Sequence, residues 1–339
     1  MEGKAETMKI CVCDIGGTNF RMAVFENGRI SNIIKRPTPN FYKYSVNEIF
    51  ERLVSGISDD FKLLCGVAGE MNHLSLCFPG PTDKNGNALG SSVIFGVELE
   101  SPFPLKKLLE ERLHGVTVSV TNDITAASYR YMEKYDSFCL ITVSSGIGNK
   151  VVIDRRVIID DKGRTGEIGH IEYPLKDFEI ECTCGMGVNH VGMISSGRGV
   201  EDMARRFCVK EPLSELYKES CLAKEFKANY NEITAEAVAK AADSGDEYAR
   251  AVIDFCTIPL ADVICTLGIA MDIPCFVIMG GFALNCDYYI DSLRRNAVKK
   301  GIYNFSPEDI EGMIVLGEKD DDHGLIGSGL MMEKYVINS

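Results

Sequence analysis

The chain lacks tryptophan and carries only 11 prolines and 32 glycines in 339 residues, so collagen-like and other fibrous designs are excluded. It also lacks a membrane-length apolar run. The longest stretch, Cys275 to Leu284, is broken by Gly280 and Gly281 and falls far short of the roughly 20 residues a span requires. The opening residues, MEGKAETMKI, have no apolar core of the kind a secretion signal needs. Basic residues are outnumbered, 36 Lys plus Arg against 49 Asp plus Glu for a net charge of −13, which argues against nucleic acid or an anionic membrane as partner.

What the chain does have is 13 cysteines, an odd number spread over its whole length. Without an export signal they read as reduced thiols of a cytoplasmic protein, with room for a metal site, rather than a disulfide framework. The 45% hydrophobic and 25% charged fractions are those of a globular protein. The length suggests two domains with a cleft between them and a small molecule as ligand.

Lys9 to Val12 and Phe20 to Phe25 read as strands joined by Asp-Ile-Gly-Gly-Thr-Asn, and Asn27-Gly28 is a hairpin turn into a third strand, Arg29 to Lys35. Leu63 to Ala68, Leu74 to Phe78 and Thr117 to Val120 are further strand-like runs, while Val46 to Ile57 and Leu105 to Leu113 have helical spacing. The second half repeats the opening theme. Strand Phe138 to Val143, turn Ser144 to Gly148, strand Lys150 to Ile153, charged turn Asp154 to Arg156 and strand Val157 to Ile159 follow in that order. Such a recurrence is the pattern of two related α/β domains. Beyond Ser195 the chain reads as helical, interrupted by strand-like Cys275 to Met279 and Met313 to Leu316 before a final helix.

Asp14-Ile15-Gly16-Gly17-Thr18-Asn19 lies between two strands, so its glycines can aim amide N–H groups at an anion while Thr18 and Asn19 add side-chain donors. Asp14, ending the first strand, suits Mg²⁺, directly or through water. The competing reading is a hairpin whose glycines only satisfy a positive φ. Ser144, Ser145 and Gly146 open an equivalent turn in the second half, and Gly280-Gly281 ends a strand where backbone can approach a flat ligand closely.

These residues carry a resemblance. Asp-Ile-Gly-Gly-Thr-Asn, Thr121-Asn122-Asp123 with Ala126-Ala127, Ser-Ser-Gly-Ile-Gly, Gly166-Glu167-Ile168-Gly169-His170, Cys182-x-Cys184-Gly185, Ser196-Gly197-Arg198-Gly199 and Met279-Gly280-Gly281 follow one another as the ordered motifs of the ROK family do. The resemblance implies an α/β, two-domain actin-like ATPase (RNase H-like) fold with an active-site cleft between the domains. It implies transfer of the γ-phosphoryl group of ATP to a sugar hydroxyl, usually O6, with Mg²⁺. Residues 1–125, completed by a carboxyl-terminal helix at about 324–339, are the expected first domain, and 126–323 the second. The family's repressors resemble the kinases but carry a DNA-binding extension ahead of the first loop, where only Met1 to Ile10 precede Cys11 here.

Asp123 follows a strand's carboxyl end, where ligands of open α/β sheets collect, and a carboxylate there can take the proton of an attacking alcohol. Its competing role is a helix N-cap. Asn122 would hold neighbouring hydroxyls. By resemblance Glu167 and His170 face the sugar, and Gly80, in Phe78-Pro79-Gly80-Pro81, is the glycine turn beside the substrate, or else an ordinary Pro-Gly turn.

His170, Cys182 and Cys184 resemble the family's structural zinc site, which a third Cys normally completes. That Cys is missing here; the usual spacing lands on Asn189, and a one-residue insertion brings His190 into the vacant corner. The competing reading is free thiols without zinc. Gly192 stands where typical hexose kinases of the family have a Glu that binds the anomeric hydroxyl. Losing that acceptor is expected to open space and suggests a substrate whose C1 end differs from a free hexose: a C7-cyclitol, an aminosugar or a sugar bearing a group at C1. Ser91 to Gly96 also lack the Asn and Trp usual before the catalytic strand.

The apolar stripes of Val200 to Cys208 and Ala249 to Ile269 read as core helices and, by resemblance, a homodimer surface. Lys319-Asp320-Asp321-Asp322 reads as a solvated loop, although Asp clusters also bind Mg²⁺, Arg21 reads as either a phosphate contact or an ion pair, and His73, His114 and His323 fall outside every motif. The sequence thus points to an ATP-dependent kinase for a primary hydroxyl of a hexose, aminosugar or C7-cyclitol. The alternatives are an ordinary glucokinase or N-acetylhexosamine kinase, and a non-catalytic sugar-sensing regulator of the same fold.

Overall fold

Strand β1, Ile10–Ile15, is buried on both faces because its side chains alternate: Cys11, Cys13 and Ile15 join one core while Ile10 and Val12 join another. The computed structural model to which it belongs describes residues 8–161, 163–176, 178–227 and 229–337. β1 turns back into β2, Asn19–Glu26, which turns at Asn27 (φ 53°) and Gly28 (φ 74°) into β3, Arg29–Pro37. Positive φ at both positions gives the turn whose twist matches an antiparallel pair. β4, His73–Phe78, and β5, Thr117–Asn122, then add in parallel, for the order β3-β2-β1-β4-β5.

A second sheet repeats this plan with β6, Phe138–Val143, β7, Ile147–Ile153, β8, Arg156–Val157, β9, Phe276–Met279, and β10, Ile314–Leu316. Its order is β10-β9-β6-β7-β8, with β6-β7 antiparallel and β6-β9-β10 parallel. The chain divides into two compact units: Met1–Lys134, Val157–Thr165 and Asp320–Ser339 form one, Tyr135–Arg156 and Gly166–Lys319 the other.

In the first unit, helices Val46–Ala68 and Leu105–Arg112 cover one face of the sheet, and helix His323–Ile337 packs Leu325 and Met332 on Ile10, Val12, Ala23 and Phe25 of the other. Parallel strands need both faces covered. Leu63 to Ala68, read as a strand, is instead the end of the 23-residue helix. The buried positions Ile49, Leu53, Val54, Ile57, Phe61 and Leu64 recur every three or four residues, and Leu63 and Val67 stay exposed. The helical period extends beyond Ile57 and overrides the local apolar run. The strand expected at Val157 to Ile159 shrinks to Arg156–Val157, because Ile158 and Ile159 turn out into solvent.

Helix Glu247–Met271 is long and apolar enough to cross a bilayer by length and composition, although charged residues interrupt its apolar run. Its Tyr248, Val252, Ile253, Cys256, Leu260 and Ile264 are buried in the second unit's core, as a core helix requires.

Candidate active site

The turn between β1 and β2 is shaped by close approach rather than by left-handed backbone. Neither Gly16 nor Gly17 has a positive φ. A Cβ on Gly16 would lie 2.9 Å from Asn19 O, and one on Gly17 would lie 3.0 Å from Val93 Cβ. The amide of Gly16 donates to Asn19 O at 2.9 Å, while those of Gly17 and Thr18 make no hydrogen bond to described residues. Two neighbouring amides of that kind form an anion-binding concavity.

Asp14, at the end of β1, is held on two sides. Arg21 donates to its Oδ2 at 2.9 Å, and the buried Cys77 thiol, directly across the β1–β4 pairing, donates to its Oδ1 at 3.3 Å. Burial pushes the Cys77 thiol well up, so it stays protonated as a donor. Arg21 also donates to Asp322 Oδ1 at 2.9 Å and to the carbonyl of Asp321, so it is an ion-pairing residue. The acidic loop is therefore not merely solvated. Arg130 forks onto Asp320 at 2.6 and 2.7 Å, holding that carboxyl down at about 2. His323, outside every motif, is buried with Nδ1 at 3.1 Å from Tyr131 Oη and 3.3 Å from Arg130.

β5 delivers Asn122 and Asp123 to the start of helix Asp123–Tyr131. The cap is Asn122, whose Oδ1 accepts from Ile124 N at 3.1 Å and Thr125 N at 3.2 Å. Its Nδ2 donates to Gly80 O at 3.2 Å and to Asp123 Oδ1 at 2.8 Å, so the Asn122 carboxamide is engaged inside the protein and orients Asp123. Asp123 is the first helical residue, and its Oδ1 also accepts from Ile124 N at 2.8 Å. The capping role weighed for Asp123 belongs to its neighbour. Gly80 is fixed by packing, because a Cβ there would fall 2.1 Å from Gly90 O.

In the second unit, Ser144, Ser145, Gly197, Gly281 and Phe282 line a cavity of about 780 Å³, a volume ordinary for a cofactor-sized ligand. Gly280 has φ 101° and a Cβ there would meet Val143 O at 2.6 Å, so the strand-end glycine pair is required by both conformation and space. Gly146 and Gly281 face open space. The same cavity is lined by Glu201, Glu236, Lys240 and Asn285, which no motif had marked.

His170, Cys182, Cys184 and His190 meet in this unit, with all ligand atoms within 4.8 Å of one another. The two His Nδ1 atoms are 3.3 Å apart, Cys182 Sγ is 3.7 Å from His170 Nδ1, and Cys184 Sγ is 3.7 Å from His190 Nδ1. A tetrahedron with ordinary Zn–N and Zn–S bonds has N···N and N···S edges of about 3.4 and 3.6 Å, so the donor set fits zinc in element, number and spacing. Met186 N donates to Cys184 Sγ at 3.4 Å, and Gly187 (φ 84°) leaves room beside His190, where a Cβ would stand 3.1 Å from Nε2. His170 Nε2 lies 3.9 Å from Glu167 Oε2. Gly192 packs on backbone, where open space was expected: a Cβ there would lie 3.0 Å from Gly169 O.

The ROK family model matches residues 10–334. The chain belongs to the ROK family. Among ROK relatives, it is 32% identical over 329 residues to the C(7)-cyclitol 7-kinase of Streptomyces hygroscopicus subsp. jinggangensis, covering 94% of this chain and 92% of that one. It is 24% identical over 345 residues to the 2-epi-5-epi-valiolone 7-kinase of an Actinoplanes species, covering 95% and 92%. The ROK hexokinase of Thermus thermophilus shares the actin-like ATPase fold, with a TM-score of 0.74 at 23% identity over 98% of this chain and 100% of that one.

Within each unit of this ROK chain the motif residues assemble with partners that sequence reasoning did not mark. In the first unit these are Thr38 and Asn40, which bond the carbonyls of Gly16, Gly17 and Thr18, together with Cys77 and Arg130. Thr38 and Asn40 follow a strand across a Pro-rich bend, and no local pattern marks them. The hard oxygen donor of Asp14, less than a quarter exposed, suits Mg²⁺, which takes one or two carboxylates alongside substrate phosphates.

Proposed function

We propose that this ROK-family sugar or cyclitol kinase transfers the γ-phosphoryl group of ATP to the primary, exocyclic hydroxyl of a C7-cyclitol. The observation that carries the catalytic part is the division of labour at the start of helix Asp123–Tyr131, where Asn122 caps and the Asp123 side chain is held in place at a parallel strand's end. The acceptor hydroxyl oxygen bonds to the γ-phosphorus as the bond to the β-phosphate oxygen breaks. ADP departs, and the hydroxyl proton passes to Asp123. Because the transition state is loose, the residues' work is chiefly positioning and charge stabilisation. Gly17 and Thr18 offer backbone amides to the γ-phosphate, Thr18 and Asn19 add side-chain donors, and Ser144, Ser145, Gly146, Gly280 and Gly281 hold the remainder of the nucleotide. Glu167 and His170 bind ring hydroxyls.

Asp14 would hold Mg²⁺, which neutralises charge on the β- and γ-phosphate oxygens. His170, Cys182, Cys184 and His190 would hold a structural Zn²⁺ that fixes an otherwise irregular loop. Similarity to C7-cyclitol kinases supports the acceptor class, as does Gly192, which offers no carboxylate to an anomeric hydroxyl. We also read the chain as a homodimer, which light scattering on the purified protein tests.

ADP release measured with Mg·ATP and a panel of C7-cyclitols, hexoses, N-acetylhexosamines and aminosugars tests the reading. The highest kcat/KM is expected on a C7-cyclitol. Glucose or an N-acetylhexosamine as best substrate overturns the acceptor assignment, and sugar binding without turnover on any member favours a sensor.

A further inference from the structure

We infer that Thr38 and Asn40 are positioning residues that turn the phosphate loop's amides toward the γ-phosphate. The inference rests on the placement of ATP proposed above. The segment that leaves β3 crosses directly over the β1–β2 turn. Thr38, 5% exposed, donates from Oγ1 to Gly16 O at 2.7 Å and from its backbone N to Thr18 O at 2.9 Å. Asn40 Nδ2 donates to Gly17 O at 3.1 Å. Three consecutive carbonyls of the turn are therefore claimed by one strap.

The consequence follows from peptide planarity. In a trans peptide a carbonyl and the next residue's N–H point in opposite directions across one rigid plane. Drawing the Gly16 and Gly17 carbonyls onto the strap turns the N–H groups of Gly17 and Thr18 away from it, and these are the two amides of the turn with no hydrogen bond to described residues. The strap is itself anchored, since Phe41 N donates to Ile94 O at 2.9 Å, and Val93 of that loop lies against Gly17. A glycine-rich turn left alone would sample other plane orientations. The strap removes that freedom before nucleotide arrives, so less ordering has to be supplied on binding.

The test compares the dissociation constants of ADP and a non-hydrolysable ATP analogue, whose ratio isolates the γ-phosphate. Asn40→Asp keeps the shape but faces an acceptor toward Gly17 O, and Thr38→Val keeps the shape but removes the hydroxyl. Each is expected to reduce the ratio by about tenfold, the size of one hydrogen bond to a charged group, with acceptor KM unchanged. Thr38→Ser, which restores the hydroxyl, is expected to restore the ratio, and thermal melting checks that every variant is folded. A ratio that survives Asn40→Asp and Thr38→Val, or one that Thr38→Ser lowers as far as Thr38→Val, overturns the strap's role. An unmodified enzyme that binds both nucleotides equally overturns the placement of the γ-phosphate itself, and the strap with it.

Discussion

Replacing Asp123 with Asn should separate chemistry from structure. Asp123 Oδ1 accepts from Asn122 Nδ2 and Ile124 N, both at 2.8 Å. An Asn side chain still offers one oxygen to those two donors, and position 123 is the first helical residue rather than the cap, so the helix start keeps its bonds. What disappears is the anionic base. A positioned general base is worth roughly 100- to 10,000-fold, or about 3 to 5.5 kcal/mol at about 1.36 kcal/mol per decade. A loose transition state moves the expectation toward the lower end. Asn122→Ala is the contrasting perturbation. It removes the cap bonds to Ile124 and Thr125 and the donations to Gly80 and Asp123. Loss of such a cap costs about 0.5–2 kcal/mol of stability. ADP release on the best acceptor and thermal melting, run on both variants, give opposite signatures: Asp123→Asn melts with the unmodified protein but turns over at least about 100-fold more slowly, whereas Asn122→Ala melts earlier. Retention of more than about a tenth of the activity by Asp123→Asn, or a melting shift as large as that of Asn122→Ala, refutes the assignment of the base.

Zinc analysis of protein purified without chelator should return about one equivalent, falling below about half in Cys184→Ser and His190→Ala, with an earlier melt in each. Gly80→Ala should lower turnover by about tenfold or more, because its Cβ would stand 2.1 Å from Gly90 O and the peptide that accepts from Asn122 must move; steady-state kinetics show it. The Arg130–Asp320 pair gives a pH signature. Arg130 lowers the Asp320 carboxyl from 3.8 to about 2 in the folded protein, so the pair's stabilisation is complete above the unfolded value and drains away as pH falls from 3.8 toward 2. The stability gap between the unmodified protein and Arg130→Met, followed by urea unfolding, should narrow across that window. A gap that stays constant counts against the pair. Burial first, then Arg130, lowers the His323 pKa, so His323→Gln should blunt the loss of stability as pH drops below 6.5.

Much of the architecture was legible because it depends on short-range periodicity. Alternation in β1 and β2, the Asn27-Gly28 turn and the small-residue turn after β6 each specify their own geometry within a few residues. The run Leu63 to Ala68 was misread because a helix's last turns, taken in isolation, look like a strand, and only the stripe of buried positions from Ile49 to Leu64 settles the period. The order of motifs singled out the glycine-rich turns and Asp123 as candidates and marked His170, Cys182 and Cys184, and the one-residue insertion pointed to His190, which the fold brings to 3.3 Å from His170.

What the sequence alone determined is therefore the set of groups able to do the chemistry, since residue type and local spacing suffice to name a carboxylate, a thiolate or a glycine turn. Which atoms those groups face was decided by tertiary structure. The Asn122 carboxamide reached Gly80 O, 42 residues earlier in the chain, Cys77 met Asp14 across two strands 63 residues apart, and Thr38 and Asn40 reached back over a turn 22 and 23 residues earlier. Side-chain hydrogen bonds of that range leave no periodic trace, because they depend on how sheets and loops stack and not on the spacing of neighbours along the chain.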